Sequence, residues 1–162
     1  MSTPNQHFLY PAALFASNQY YVVSTILGSC VAVCFYDTRL RIGGINHYML
    51  PFWNGQGLAS PKYGNIAIHK LLEKMQSLGS NKKDLRAKVF GGANIFESNL
   101  EQFRIGERNI IIANETLTEL QIPVVSQSTG GNLGRKIMFD NSTGEVRQKI
   151  IEKVTLQCMN IT

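Results

Sequence analysis

The stretch Ser24–Pro51, STILGSCVAVCFYDTRLRIGGINHYMLP, decides how the rest of the chain is arranged. Gly28 and Ser29 interrupt an apolar run, and such a small-residue break lets the backbone turn sharply with its amides directed at whatever Cys30 meets. Val31, Ala32, Val33, Cys34 and Phe35 have high β-propensity and predict a strand. Asp37 to Arg41 is a polar connection, and Ile42 to Leu50 reads as a second apolar strand carrying His47. The spacing of Cys30 and His47 suits a strand, a connection and a returning strand that passes the first. An imidazole beside a thiol takes its proton and stabilises the thiolate, which is the reactive form. Residue types alone leave a second reading, a buried strand cysteine and a hydrogen-bonded core histidine.

Working outward, the 162 residues, 44% hydrophobic and 17% charged, fit one domain over 1–162 with an ample core. Residues 1–18 hold Pro4 and Pro11 and show no sustained period, which predicts an irregular lead-in before a strand beginning at Gln19 to Ser24. Residues 155–162 form a polar C-terminal tail containing Cys158. No run of eighteen apolar residues occurs, and the N-terminus lacks a basic lead, so a cytoplasmic protein without membrane insertion is expected. Cys30 and Cys34 on one strand would stand roughly 13 Å apart, beyond the roughly 7 Å reach of a disulfide. The net charge of +5 is dispersed; it suits an acidic protein partner, and no basic arm for nucleic acid is present.

Ala67, Ile68, Leu71, Leu72, Met75 and Leu78 recur at helical spacing, which predicts a helix from Asn65 to Leu78 with Asn65 as cap and Gly79 at its end. Ile110, Ala113, Leu117 and Leu120 predict a second helix from Glu107 to Leu120. Strands are expected at Ala87 to Phe90, Val124 to Ser128, Lys136 to Phe139 and Val146 to Ile151, the last two joined by a turn through Asp140 to Gly144. Gly91-Gly92 permits close approach of a backbone or substrate, or forms a bulge. The loop after Pro51, with Trp53, either shapes substrate access or is a surface loop on buried aromatics. The glycines of Thr129–Arg135 serve turn chemistry, or hold an anion with Arg135. His69 falls on a polar helix face, and the cysteines and histidines form no short chelating pair, so no metal site is expected. The outcome is an α/β (α+β) domain with mixed or antiparallel sheets and two long helices on one face.

The runs LGSCVAVCFYD, INHYMLP, KVFGGANIF, IGERNI and GGNLGRKIMFD, in this order from about Tyr21 to about Lys149, resemble the chemoreceptor glutamine deamidase CheD family. The resemblance implies a three-layer α/β/β sandwich, similar to the catalytic domain of the cytotoxic necrotising factors. It places the nucleophile on Cys30 and its base on His47. A family threonine that orients the base maps, six positions before Cys30, onto Ser24, with Thr25 adjacent. Ser24 and Cys30 share a face if the chain stays extended between them. The implied reaction hydrolyses glutamine side chains of chemoreceptors to glutamate through a thioester, without a cofactor, the backbone amides of Ser29 and Cys30 stabilising the oxyanion. Family members also bind the phosphatase CheC. The alternative is therefore a non-catalytic module that regulates CheC or a receptor.

Overall fold

The structure is a computed structural model describing residues 3–94 and 104–152. Five strands form one sheet in the spatial order β2 (Leu14–Ser17), β5 (Ile42–Asn46), β4 (Val31–Asp37), β6 (Leu85–Gly91) and β7 (Val124–Thr129). Four form a second: β1 (Asn5–Phe8), β3 (Tyr21–Leu27), β8 (Gly134–Asp140) and β9 (Val146–Ile151). Both sheets are mixed, since β1 runs parallel to β3 and β6 parallel to β7 while the other pairs are antiparallel. Helices α1 (Gly64–Ser77) and α2 (Ile105–Glu119) lie on the five-stranded sheet, α1 over β2 and β5, α2 over β4 and β6. The layers are thus helices, five-stranded sheet and four-stranded sheet, the expected α/β/β order.

Strand β4 is central and covered on both sides, which is why VAVCFYD is apolar almost throughout rather than alternating. Val31, Val33 and Phe35 join Leu71, Met75 and Leu117 in the core beneath the helices. Ala32 and Cys34 face the other way and join Val23, Leu27, Ile137 and Phe139 between the sheets. Both Cys30 and Cys34 are free thiols in the buried interior. Where β4 turns into β5, Asp37 Oδ1 accepts the amides of Arg39 and Leu40 at 2.8 Å each, an Asx turn that makes the polar connection rigid.

The lead-in expected over 1–18 is not irregular within its described residues, 3–18. Asn5–Phe8 pairs with β3 and Leu14–Ser17 with β5. Strands of four residues are too short for alternation to show, and their hydrogen-bond partners lie far along the chain. The expected strand 42–50 also ends sooner, at Asn46, because the His47 backbone bonds to Ala12 and Ala13 before Tyr48 resumes pairing with Val31. Helix α1 begins at Gly64, and Asn65 is not its cap: its Oδ1 accepts the Trp53 amide at 2.9 Å and ties down the loop after Pro51. The helix stops at Gly79, φ +106°, as expected. The tail 155–162, with Cys158, lies outside the described residues.

Gly91 closes β6 against the turn before β4. Its φ is +107°, and a Cβ there would lie 2.3 Å from the Cys30 carbonyl oxygen, which is backbone and cannot yield. Gly130 also has a positive φ, +81°, but open space around it. Gly91→Ala should therefore destabilise by more than the roughly 1–2 kcal/mol of left-handed strain that alone burdens Gly130→Ala. Urea unfolding of the two variants measures the difference, and equal losses would show that the Cys30 turn shifts freely.

Candidate active site

Three elements bring the site together at one end of the sandwich. Strand β3 alternates, with Val23, Thr25 and Leu27 buried against the five-stranded sheet and Val22, Ser24 and Ile26 on its outer face. The chain then crosses at Gly28-Ser29 into the other sheet and delivers Cys30 just before β4. His47 follows β5. Val31 and Tyr48 exchange both backbone hydrogen bonds, at 3.1 and 3.0 Å, and this register puts Cys30 and His47 diagonally opposed on the inter-sheet face. Diagonal neighbours have Cα atoms about 7–8 Å apart, with side chains converging. Thr25, Cys30 and His47 are 0%, 0% and 1% exposed.

The hydroxyl that meets the imidazole belongs to Thr25, not to Ser24. Thr25 Oγ1 lies 2.6 Å from His47 Nδ1, whereas Ser24 is on the opposite face of β3, paired with Met138. The expectation for Ser24 assumed an extended chain up to Cys30. The Gly28-Ser29 crossing breaks that parity, so inward residues on β3 and β4 are related by an odd step, Leu27 to Cys30.

The hydrogens in this chain of contacts are determined. Thr25 Oγ1 is 2.7 Å from the carbonyl of Leu9, which can only accept. The single hydroxyl hydrogen is therefore given to Leu9, and Oγ1 accepts from His47, which must carry its proton on Nδ1. Nε2 is left with a free lone pair, and it has no hydrogen-bond partner among the described residues. His47 is further held by its own backbone, whose N–H donates to Ala13 O at 3.2 Å and whose carbonyl accepts from Ala12 N at 2.8 Å. The connection between the two unexpected N-terminal strands thus holds both the His47 backbone and the Thr25 hydroxyl.

Burial sets the charges. It pushes the Cys30 thiol up to about 12, partly opposed by its own backbone amide, and lowers His47 to about 4. The resting pair is a neutral thiol beside a neutral imidazole.

The turn is held through its carbonyls. Gly28 O accepts from Ala93 N and Cys30 O from Gly92 N, both at 2.9 Å, and Ser29 O accepts from Asn109 Nδ2 at 3.0 Å. The amides of Ser29 and Cys30 have no backbone acceptor among the described residues, and the Cys30 amide lies against its own sulfur. Gly91-Gly92 therefore serves close approach to a backbone. The Arg135 guanidinium donates to the carbonyls of Ser128 and Gly130 and shapes the glycine-rich loop, which in turn bonds Gly91 and Asn94. His69 is exposed and accessory, and no cluster of metal-ligating side chains occurs among the described residues. Asn109 was legible only as a polar residue within the apolar stripe of α2.

An interior cysteine, a tautomer-fixed histidine and a hydroxyl thus lie on one inter-sheet face of an α/β/β sandwich, the residue types that thiol hydrolases use. The model of the family described as CheD chemotactic sensory transduction matches residues 49–150. A probable chemoreceptor glutamine deamidase CheD of Sulfurimonas denitrificans is 46% identical over 147 residues, 90% of this chain and 94% of that protein. Another, of Trichlorobacter lovleyi, is 49% identical over 141 residues, covering 87% and 88%; one from Rhodospirillum rubrum is 42% identical over 145 residues, covering 90% and 82%. The chain belongs to the CheD family. The family match begins beyond His47, but overlaps of these lengths within 162 residues necessarily span Thr25, Cys30 and His47. The crystal structure of Bacillus licheniformis hypothetical protein YfiH superposes with TM-score 0.49 at 18% identity, covering 74% of this chain and 51% of that one.

Because His47 is held near 4 against an ordinary 6.5, the unfolded chain takes up a proton in that interval that the folded chain refuses. The stability due to neutral His47 is complete above about pH 6.5 and is lost as the pH falls toward 4. Urea midpoints should accordingly fall on acidification through this window, and less steeply in His47→Gln. Identical pH slopes for the two proteins would contradict a buried neutral imidazole.

Proposed function

We propose that this protein is a cysteine-dependent glutamine deamidase that converts selected glutamines of chemoreceptors to glutamate in the cytoplasm. The observation that carries the reading is the Leu9–Thr25–His47 chain, which leaves Nε2 as an acceptor on the same face as Cys30. The names of the relatives supply the substrate class. Receptor glutamines sit on helical surfaces, so a side chain must be drawn down to a thiol that is fully covered in the free protein; binding has to open the site. CheC is proposed as a further partner.

In the reaction Nε2 takes the Cys30 proton as sulfur attacks the glutamine carbonyl carbon. A C–S bond forms, and the carbonyl π pair moves to oxygen, met by the Ser29 and Cys30 amides. The oxyanion collapses, the C–N bond breaks, and His47 gives its proton to the departing nitrogen, releasing ammonia. Water then loses a proton to Nε2 and attacks the thioester. C–S cleavage regenerates the thiol, which regains its proton from His47, and leaves glutamate. The chemistry is hydrolysis and consumes only water.

Thr25→Val should reduce turnover on purified receptor by about a hundredfold, the usual effect of a misplaced base. Ser24→Ala should stay near wild type, while Cys30→Ala and His47→Gln should give no one-dalton shift by peptide mass spectrometry. Persistent deamidation by Cys30→Ala would remove the covalent mechanism, whereas a wild-type protein that leaves purified receptor unmodified would favour a stoichiometric regulatory role.

A further inference from the structure

Asn109 is wholly buried in α2, on the face it shares with Gly106, Ile112, Ala113, Thr116 and Leu117. Its side-chain amide donates to two carbonyls on separate segments, Ser29 O and Met49 O, each at 3.0 Å. Its own backbone carbonyl accepts from Tyr48 Oη. The amide cannot be reversed, because Oδ1 would then face two carbonyl oxygens. In the observed orientation Oδ1 has no partner among the described residues. A residue needed only to fill the space would be apolar and would avoid that cost.

We propose that Asn109 is a positioning residue that aims the Cys30 amide at the oxyanion. The Ser29–Cys30 peptide is planar and trans, so its C=O and N–H point in opposite directions. Fixing Ser29 O against α2 on the helix side of the sheet turns the Cys30 N–H to the inter-sheet side, where the Cys30 and His47 side chains lie. The bond to Met49 O anchors the segment after His47 to the same amide. One side chain thereby holds the donor in register with the thiol, without touching substrate.

The inference rests on Cys30 being the nucleophile, and its test uses small reagents so that receptor recognition does not enter. Acylation of Cys30 by p-nitrophenyl acetate passes through an oxyanion, whereas alkylation by iodoacetamide is a displacement that forms none. His47 is held by Thr25, Ala12 and Ala13, so proton removal from the thiol should survive loss of Asn109. In Asn109→Leu, which fills the space without donors, acylation should slow by about 10- to 100-fold while alkylation changes by less than about threefold. Equal slowing of both reactions, or of neither, overturns the positioning role. If Asn109→Leu does not fold, Asn109→Ala takes its place, and failure of both to fold makes Asn109 a core support and likewise overturns the proposal. A wild-type Cys30 that is not acylated at all defeats the nucleophile reading itself, a result separate from any variant's behaviour.

Discussion

The passage of the chain from one sheet to the other within Gly28-Ser29-Cys30 is the constraint on which the site depends. Three consecutive carbonyls would be stranded by so short a crossing, and each buried polar group left unpaired costs about 1–3 kcal/mol. Each finds a different donor: Ala93 N for Gly28, Asn109 Nδ2 for Ser29 and Gly92 N for Cys30. Those donors come from the end of β6 and from α2, which must approach closely. A Cβ at Gly106 would lie 2.3 Å from the Ala93 carbonyl oxygen, so the glycines on both sides of this contact set the distance at which the turn can be held. With the carbonyls spent in this way, the turn is fixed just before the thiol, and its geometry follows from hydrogen-bond satisfaction.

Much of this was legible in the sequence. The unbroken apolar character of Val31–Phe35 marks a strand covered on both sides, and the spacing of Ala67, Ile68, Leu71, Leu72 and Met75 marks a helix with one buried stripe; both are local patterns. Cys30 and His47 were visible as a possible pair because one register of neighbouring strands suffices to join them. The four-residue strands before Ser17 carried no readable period. Their pairing is with β3 and β5, and only the folded chain shows that Leu9 meets the Thr25 hydroxyl and Ala12–Ala13 the His47 backbone.

The choice between Ser24 and Thr25 failed for a different reason. Both faces of β3 bear apolar residues, Val23 and Leu27 on one and Val22 and Ile26 on the other, so hydrophobicity does not say which hydroxyl is buried. Parity counted back from Cys30 holds only through extended chain, and the crossing that creates the site is the feature that breaks it. Asn109 was obscured in a comparable way. On the sequence it is a polar interruption of an amphipathic helix, and its value depends on two carbonyls about 60 and 80 residues away.

A hydroxyl as the third member has an electrostatic consequence that a carboxylate would not. Thr25 fixes the tautomer of His47 while remaining neutral, and its own hydrogen is absorbed by the Leu9 carbonyl. The whole assembly can therefore be buried with no charge to compensate, whereas a buried carboxylate would demand further donors or a counterion. The same neutrality means that nothing at Nδ1 stabilises an imidazolium by charge, in keeping with the depressed His47 and raised Cys30. Thiolate and imidazolium attract each other strongly in a low-dielectric interior, but only when both form together. In the proposed reaction, proton transfer is thus coupled to a bound carbonyl that receives the negative charge onward from sulfur. Without that carbonyl, burial holds Cys30 as a thiol, which slows its reaction with adventitious oxidants and electrophiles.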